Sequence, residues 1–491
     1  MWQKRNDEAP AARSGRINKM RVGGAVLGLV LAMGVQPALA GHGRDHDHGK
    51  GHAYGHDGFP TVTPFTRIAK LPVVRDAEGN VDHKATYAKA KAAAEALANY
   101  VARTKDAGLN GGDWVLGGTS AACRSTQTCT DTEIKEAILE IPSPEPIDPN
   151  DPAYLADGTV TAANTKKANV LDFCNEHFAK QALGISEIVP GKKVVNGYSH
   201  TPALPCEVSI WNDDEHIYVD MLDPNAIFSL FFTDVLFSAE MSDPAFADAI
   251  QQLPPQVKSD IQAVVLSAMR AFDAKTRAVD KAMGPKYKGL DQVVKVVADS
   301  PYQSPYLHMG YTKVNGAAFT PAESLAVTQA IINTMSVNGK PGAGTHPTVV
   351  DSGGNTLDSL LSPGSSWRSA RALPLTLPGS NHVIEACSPK YAKMAMSVGL
   401  DHVTALPCEI TVQIIDQDRN GSLETLVVSY LDPHFMLNAL FADISKAQKQ
   451  AFASIPGAIM GDLQEIVAAA LSVNSGIALN PGMRIGYDML P

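Results

Sequence analysis

The sequence predicts an α+β protein of two homologous domains, each an antiparallel sheet with helices packed on one side, plus an extra helix per repeat. Three observations lead there. Four sequence blocks recur in the same order, each copy carries two alternating segments behind a Leu-Pro-Cys, and each pair of segments ends on Asp-Pro. The blocks are VLDFCNEHFAKQAL (170–183) with VIEACSPKYAKMAM (383–396), and HTPALPCEVSI (200–210) with HVTALPCEITV (402–412). YVDMLDPNAIFSLFFTD (218–234) then matches VVSYLDPHFMLNALFAD (427–443), and LPPQVKSDIQAVV (253–265) matches IPGAIMGDLQEIV (455–467). Self-similarity of this kind marks a duplicated structural unit. The two copies span about 60–285 and 286–491.

Each copy opens on a helical pattern, at 84–104 (rich in Ala and Lys) and at 321–335. The segments that follow, 105–168 and 337–380, are rich in Gly, Pro, Ser and Asp and read as surface insertions; SPEPIDPNDP (143–152) is the clearest loop. Ser388-Pro389 reads as an N-cap and first helical position, which puts Cys387 just before a helix; Cys174 likewise precedes a helix beginning near Asn175. CEVSIW and CEITVQI alternate as strands, with IYVDML and TLVVSYL as hairpin partners. Asp223-Pro224 and Asp432-Pro433 then start a second helix, Asp capping the free N–H groups and Pro taking the first turn. An additional helix follows each, at about 247–275 and 446–472. On these, Asp260 and Gln262 match Asp462 and Gln464 as surface residues or contacts between repeats.

A chain of 491 residues is too long for one compact core. The formal net charge is −10, and residues 1–40 carry six basic against two acidic residues, so the remainder is more acidic still. That balance argues against nucleic acid or an anionic membrane as partner, since both reward clustered Lys and Arg. A basic stretch (Lys4 to Arg21), an apolar run (Val22–Val35) and Ala38-Leu39-Ala40 read as a signal peptide cleaved near Ala40, with no integral membrane segment afterwards. The expected location is the periplasm or outside the cell, where cysteines can pair. Residues 41–58 carry five histidines, His42, His46, His48, His52 and His56, among Gly, Asp and Lys. This composition predicts a disordered segment able to bind zinc, nickel or copper loosely.

The succession of Cys174, Ala179, Ala182, Leu204-Pro205-Cys206 and Asp223-Pro224 resembles domain-of-unknown-function family 302. In the second copy the matching residues are Cys387-Ser388-Pro389, Ala392, Ala395, Leu406-Pro407-Cys408 and Asp432-Pro433. The resemblance covers roughly the latter half of each copy. It implies a compact α+β domain similar to the TATA-binding-protein-like fold, and it implies no activity, because the family has none established. The insertions, the additional helices and Glu176-His177, where the family often has Pro, depart from its pattern.

Six cysteines supply the candidate site residues. Cys123 and Cys129, close in sequence, read as a small-loop disulfide. Cys174 with Cys206, and Cys387 with Cys408, admit three readings: disulfides, buried thiols packing as small hydrophobes, or a functional thiol or metal site. The family resemblance supports buried thiols, since similar domains without signal peptides keep both cysteines in a reducing cytoplasm. For the metal reading, His200 and His402 each stand six residues before the Leu-Pro-Cys cysteine, and two Cys with one His suit zinc or copper. Asp223 and Asp432 are better explained as caps. Asp416 to Gly421 imitates a calcium loop, but Val427 stands where the bidentate Glu belongs, and Asn420-Gly421 reads as a hairpin turn. No P-loop, Rossmann fingerprint, CxxC pair or GxSxG elbow occurs. The leading expectation is a non-enzymatic periplasmic binding protein for a transition metal or small ligand, its two domains about a pseudo-twofold axis. The alternatives are a thiol-redox enzyme or sensor using Cys174 and Cys387 as helix-stabilised thiolates, and a structural envelope scaffold.

Overall fold

The computed structural model describes residues 61–491 except 105–113, 121, 124–127, 162, 205, 338–339, 342–360, 364, 375–381, 407, 418–419, 475, 487–489 and 491. Of 336–337, 340–341, 368–374 and 473–474 it describes the backbone alone. The expected signal peptide (1–40) and the His-rich segment (41–58) lie outside the described residues.

Strands β1 (Phe65–Pro72), β2 (Trp114–Leu116), β3 (Leu139–Pro146), β4 (Thr165–Asn175), β5 (Cys206–Asn212), β6 (His216–Leu222) and β7 (Arg277–Met283) form the first sheet. Its order is β2-β4-β5-β6-β1-β7, with β3 also on β4, and every pairing is antiparallel. The second sheet uses β8 (Tyr306–Thr312), then, past the two-residue pair β9 (Ser336–Val337) and β10 (Lys340–Pro341), β11 (Arg368–Pro374), β12 (His382–Cys387), β13 (Cys408–Ile415), β14 (Thr425–Leu431) and β15 (Met483–Ile485). Its order, β11-β12-β13-β14-β8-β15, repeats the central β4-β5-β6-β1 run of the first sheet with β12-β13-β14-β8.

The expected hairpins form as read, Val208 opposite Met221 and Ile410 opposite Tyr430. Asp416 accepts from the backbone N–H groups of Asn420 and Gly421, so this carboxylate staples the turn; Gly421 takes φ 91°, the left-handed conformation the turn needs. Both opening helices are preceded by a strand that periodicity alone did not indicate, β1 and β8. The Ser143 to Pro146 part of the expected loop belongs to β3. As an edge strand bonded only to β4, with a register shift between Pro142 and Pro146, it tolerates prolines that a central strand would not.

One face of each sheet carries the long helices. Ala90, Ala93, Ala94, Leu97 and Ala98 of α1 (His83–Arg103) bring that helix close against Leu171, Val208, Ile210 and Val219. Small Ala side chains permit the approach, and Asp82 caps the helix by accepting from Ala85 N–H. After α2 (Glu176–Ala182) and α3 (Pro224–Phe231) comes α4 (Pro244–Phe272), which adds Ile261, Val264 and Val265 to the same core. In the second half α5 (Pro321–Met335) precedes α6 (Pro389–Met396) and α7 (Pro433–Leu440), and α8 (Ile455–Ala469) follows. There α5 and α8 cover Ile384, Ile410, Val412 and Val428.

The other face is covered too, by the opposite half, which corrects the expectation of helices on one side. Ala392 and Met396 of α6, with Val403 of the 3₁₀ turn Leu400–Ala405, pack on Ile141, Ala168, Val170, Trp211 and Tyr218 of the first sheet. Reciprocally, Ala179 of α2 and Leu183 pack on Val383 of the second sheet. Ser209 Oγ and Thr404 Oγ1 are 2.6 Å apart across this seam, and Gln413 donates to the Tyr198 carbonyl at 3.2 Å. Helices α3 and α7 meet edge-on through Phe231 and Phe435, with ring centroids 5.0 Å apart. The main core therefore draws on both halves, and the described residues pack as one compact unit within Gly51–Pro491.

Candidate functional site

The cysteine-to-helix junction builds a pocket in each half. In the first, Cys174 is next to last in β4, Asn175 caps α2 by accepting from His177 and Phe178 N–H, and Cys206 opens β5. In the second, Cys387 ends β12, Ser388 precedes Pro389 of α6, and Cys408 opens β13. Ser388 makes no side-chain capping bond; its hydroxyl donates to the Ser365 carbonyl instead. The Asp-Pro helix forms the next wall. Asp223 accepts from Asn225 N–H, and Asp432 from His434 and Phe435 N–H, so both carboxylates act as the caps the sequence implied.

The linings correspond position by position. Trp114, Cys174, Phe178, Ala179, Ala182, Leu204, Cys206, Pro224, Ile227, Phe232 and Pro254 line the first pocket. Trp367, Cys387, Tyr391, Ala392, Ala395, Leu406, Cys408, Pro433, Met436, Phe441 and Pro456 line the second in the same roles. Their volumes, counted to the open mouth, are about 640 and 660 Å³. Walls this apolar, with a few polar atoms at the rim, suit a small hydrophobic guest.

The thiols of these pockets are not joined. Cys123 and Cys129 form the expected disulfide, whereas Cys174, Cys206, Cys387 and Cys408 remain thiols. In the strand register Phe173 pairs with Cys206 and Ala386 with Cys408, so within each pair the cysteines stand one residue out of step, although both line the same pocket. Burial pushes the Cys206 and Cys408 thiols up, and neighbouring Cys174, Cys387 and carboxylates push the same way. Such thiols are poor nucleophiles.

The repeated histidines go elsewhere. His200 stacks on Phe232 at 4.1 Å, meets the edge of Tyr306 at 5.8 Å and places Nε2 3.1 Å from Asp234. His402 stacks on Phe441 at 4.7 Å, meets Phe65 at 5.8 Å, and lies 3.4 Å from Asp401 and 3.5 Å from Asp443. Each imidazole thus touches the opening strand of the opposite sheet and backs one pocket wall. Burial alone would lower the His402 pKa, but Asp401 and Asp443 outweigh it and raise it to about 9. Among the described residues no group of three or more His, Cys, Asp or Glu is placed to hold a metal ion. The sets His200, Cys174, Cys206 and His402, Cys387, Cys408 therefore do not converge. His42, His46, His48, His52 and His56 lie outside the described residues.

Two features escaped the sequence reading, and a third corrects it. Trp114 and Trp367 sit in the unlike insertions, at different distances from their cysteines, and only their scarcity (four Trp in the chain) could have drawn notice. Asp462, expected at the surface or between the repeats, is buried, as is Asp260; it accepts from Trp367 Nε1 and Ser362 N–H of its own half, both at 2.8 Å, and so anchors a pocket wall. Asp172 opposite Glu207, and Glu385 opposite Glu409, are four buried carboxylates on the faces turned to the seam.

A two-sheet α+β chain with paired apolar pockets is the class that fold and site define. Residues 370–460 match the model of a family described as "Domain of unknown function DUF302". The match covers the second pocket's strands, α6 and α7. No curated protein and no solved structure matches the chain. Among the described residues no helix is long and apolar enough to cross a membrane.

Proposed function

We propose that this chain is an exported, non-enzymatic binding protein that arose by duplication of one α+β domain, and that it carries a small apolar molecule in two equivalent pockets. The observation that carries the reading is the matched lining: wall by wall, the same positions of the two copies surround both cavities. The blocks that repeat in sequence, and the shared strand order, support the duplication; the N-terminal signal pattern supports export. A small apolar guest is favoured over a transition metal because the thiols and imidazoles diverge. It is favoured over thiol-redox chemistry on Cys174 and Cys387 because burial holds protonated the thiols each would need as a disulfide partner, Cys206 and Cys408. An apolar pocket of this kind gains affinity from the apolar area its guest removes from water, at about 25 cal/mol per Å².

The test is a fluorescence titration of the full chain with the neutral probe N-phenyl-1-naphthylamine. Two sites are expected. Ala182→Trp fills the first pocket and Ala395→Trp the second, from positions that line the pockets without belonging to the seam, so each variant loses one site while circular dichroism reports an intact fold. A probe that stays dim, or variants that bind as the parent does, would refute the reading. Sequencing of exported protein from a native host tests the leader: a mature chain beginning at Gly41 is expected.

A further inference from the structure

Between the two pockets lies a third, smaller cavity, of about 340 Å³ with its opening. It shares Ala203, Leu222 and Ile227 with the first pocket and Ala405 and Met436 with the second, so single side chains divide it from each of them. Glu207 and Glu409, equivalent residues of the two copies, line its middle, each 3% exposed. Glu409 Oε2 is buried and, among the described residues, has no hydrogen-bond partner. A buried carboxylate oxygen left unmet costs stability, and its charge can be compensated only by a proton or a cation.

We propose that the ligand of these pockets is an apolar amine, its ammonium group seated between Glu207 and Glu409 and its hydrocarbon in the adjoining pocket. The inference rests on the pockets being ligand sites and adds the chemical class. The ammonium donates to the unmet oxygen, while the apolar walls take the chain; a fatty-acid anion would bring negative charge to a site lined by acids and would receive no compensating cation. Without ligand, burial raises the Glu409 pKa well above the ordinary carboxyl range, and Glu207 and Asp172 push it the same way. The groups acting around it, Glu207, Asp172, Cys206 and Cys408, are all acids. Arrival of an ammonium ion therefore expels the Glu409 proton to solvent: a cation enters, a proton leaves, and the charge of the site is conserved.

The experiment is isothermal calorimetry of the full chain at pH 7 with decylamine, 1-decanol and decanoate. Decylamine is expected to bind at least tenfold more tightly than 1-decanol, with one tight equivalent per chain because there is one central cavity, and decanoate the most weakly. Its heat should change with the ionisation enthalpy of the buffer, reporting the released proton. In Glu409→Gln the ratio of amine to alcohol affinity should collapse towards one; Glu207→Gln gives an independent check in a separately folded variant. Decanoate binding as tightly as the amine, or a preserved ratio in both variants, would overturn the proposal while leaving the pockets as sites. Failure of all three compounds to bind would overturn the pockets and the amine together.

Discussion

Replacing His402 with Gln should flatten one part of the stability–pH profile. In the folded chain His402 has a pKa of about 9, because Asp401 and Asp443 outweigh its burial. An unfolded histidine titrates near 6.5. A raised folded pKa means that the charged form is favoured in the native state. The contribution is complete below about pH 6.5 and disappears as pH rises through about 9. At about 1.4 kcal/mol per pKa unit the gap has a ceiling of about 3 kcal/mol. The contacts to Asp401 and Asp443, at 3.4 and 3.5 Å, exceed ordinary hydrogen-bond lengths, and the Asp443 side chain is 40% exposed. Solvent screening brings the expected figure to about 2 kcal/mol. The measurement is urea unfolding of the parent and of His402→Gln at pH 6, 7.5 and 9.5. The difference between the two proteins removes every other titrating group, Glu409 included, and should shrink by about 2 kcal/mol from the lowest pH to the highest. A difference constant with pH would refute the ion-pair argument. Because His402 stacks on Phe441, a wall of the second pocket, probe binding there should weaken over the same window.

Glu409→Gln should change stability least near pH 3, where the carboxyl is protonated in both states, and raise the melting temperature at pH 8, where folding must either protonate this buried acid or bury its charge; calorimetric scans at the two pH values check this. Asp462→Leu removes the acceptor of a buried indole N–H and of Ser362 N–H and should cost about 3 kcal/mol in chemical denaturation, loosening the second pocket before the first. Native protein should show four thiols on unfolding, and Cys206 and Cys408 should resist a maleimide at pH 7 at least about tenfold more than a free cysteine, because burial disfavours the reactive thiolate. Rapid alkylation of the native chain would contradict their burial.

Local chemistry was legible in the sequence wherever a residue type has a single mechanical use. The Asp-Pro pairs, the cysteine before each helix and the Asn-Gly turn lie where their capping and turn preferences put them. What lay beyond reach was the identity of the surface each element faces. In β13, Glu409, Thr411 and Gln413 alternate with Ile410, Val412 and Ile414, a pattern that ordinarily marks one face in water. All eight residues of that strand are buried, because the polar face meets the opposite half. Alternation records that a strand has two different faces; it does not say what covers the polar one. The same blindness hid the roles of His200 and His402. They repeat at one position in each copy because each spans the seam, and spacing to a cysteine could not separate that from ligation. The opening strands β1 and β8 escaped because FTRIAKLP and YLHMGYT mix charged or small residues into positions that their neighbours bury.

The exchange of α2 and α6 between the sheets has a consequence for the order of events on the ribosome. The polar face of the first sheet is finished only when Thr404, 195 residues beyond Ser209, arrives to meet it. Until then Asp220, Trp211 and Tyr218 stand beside a vacant groove awaiting α6. Contacts of such long sequence separation slow folding, since loop closure precedes any reward. The nascent first half is therefore a waiting half, and a chain stopped near residue 285 would expose a strip made for another part of itself, prone to capture a second copy in place of its missing sequel.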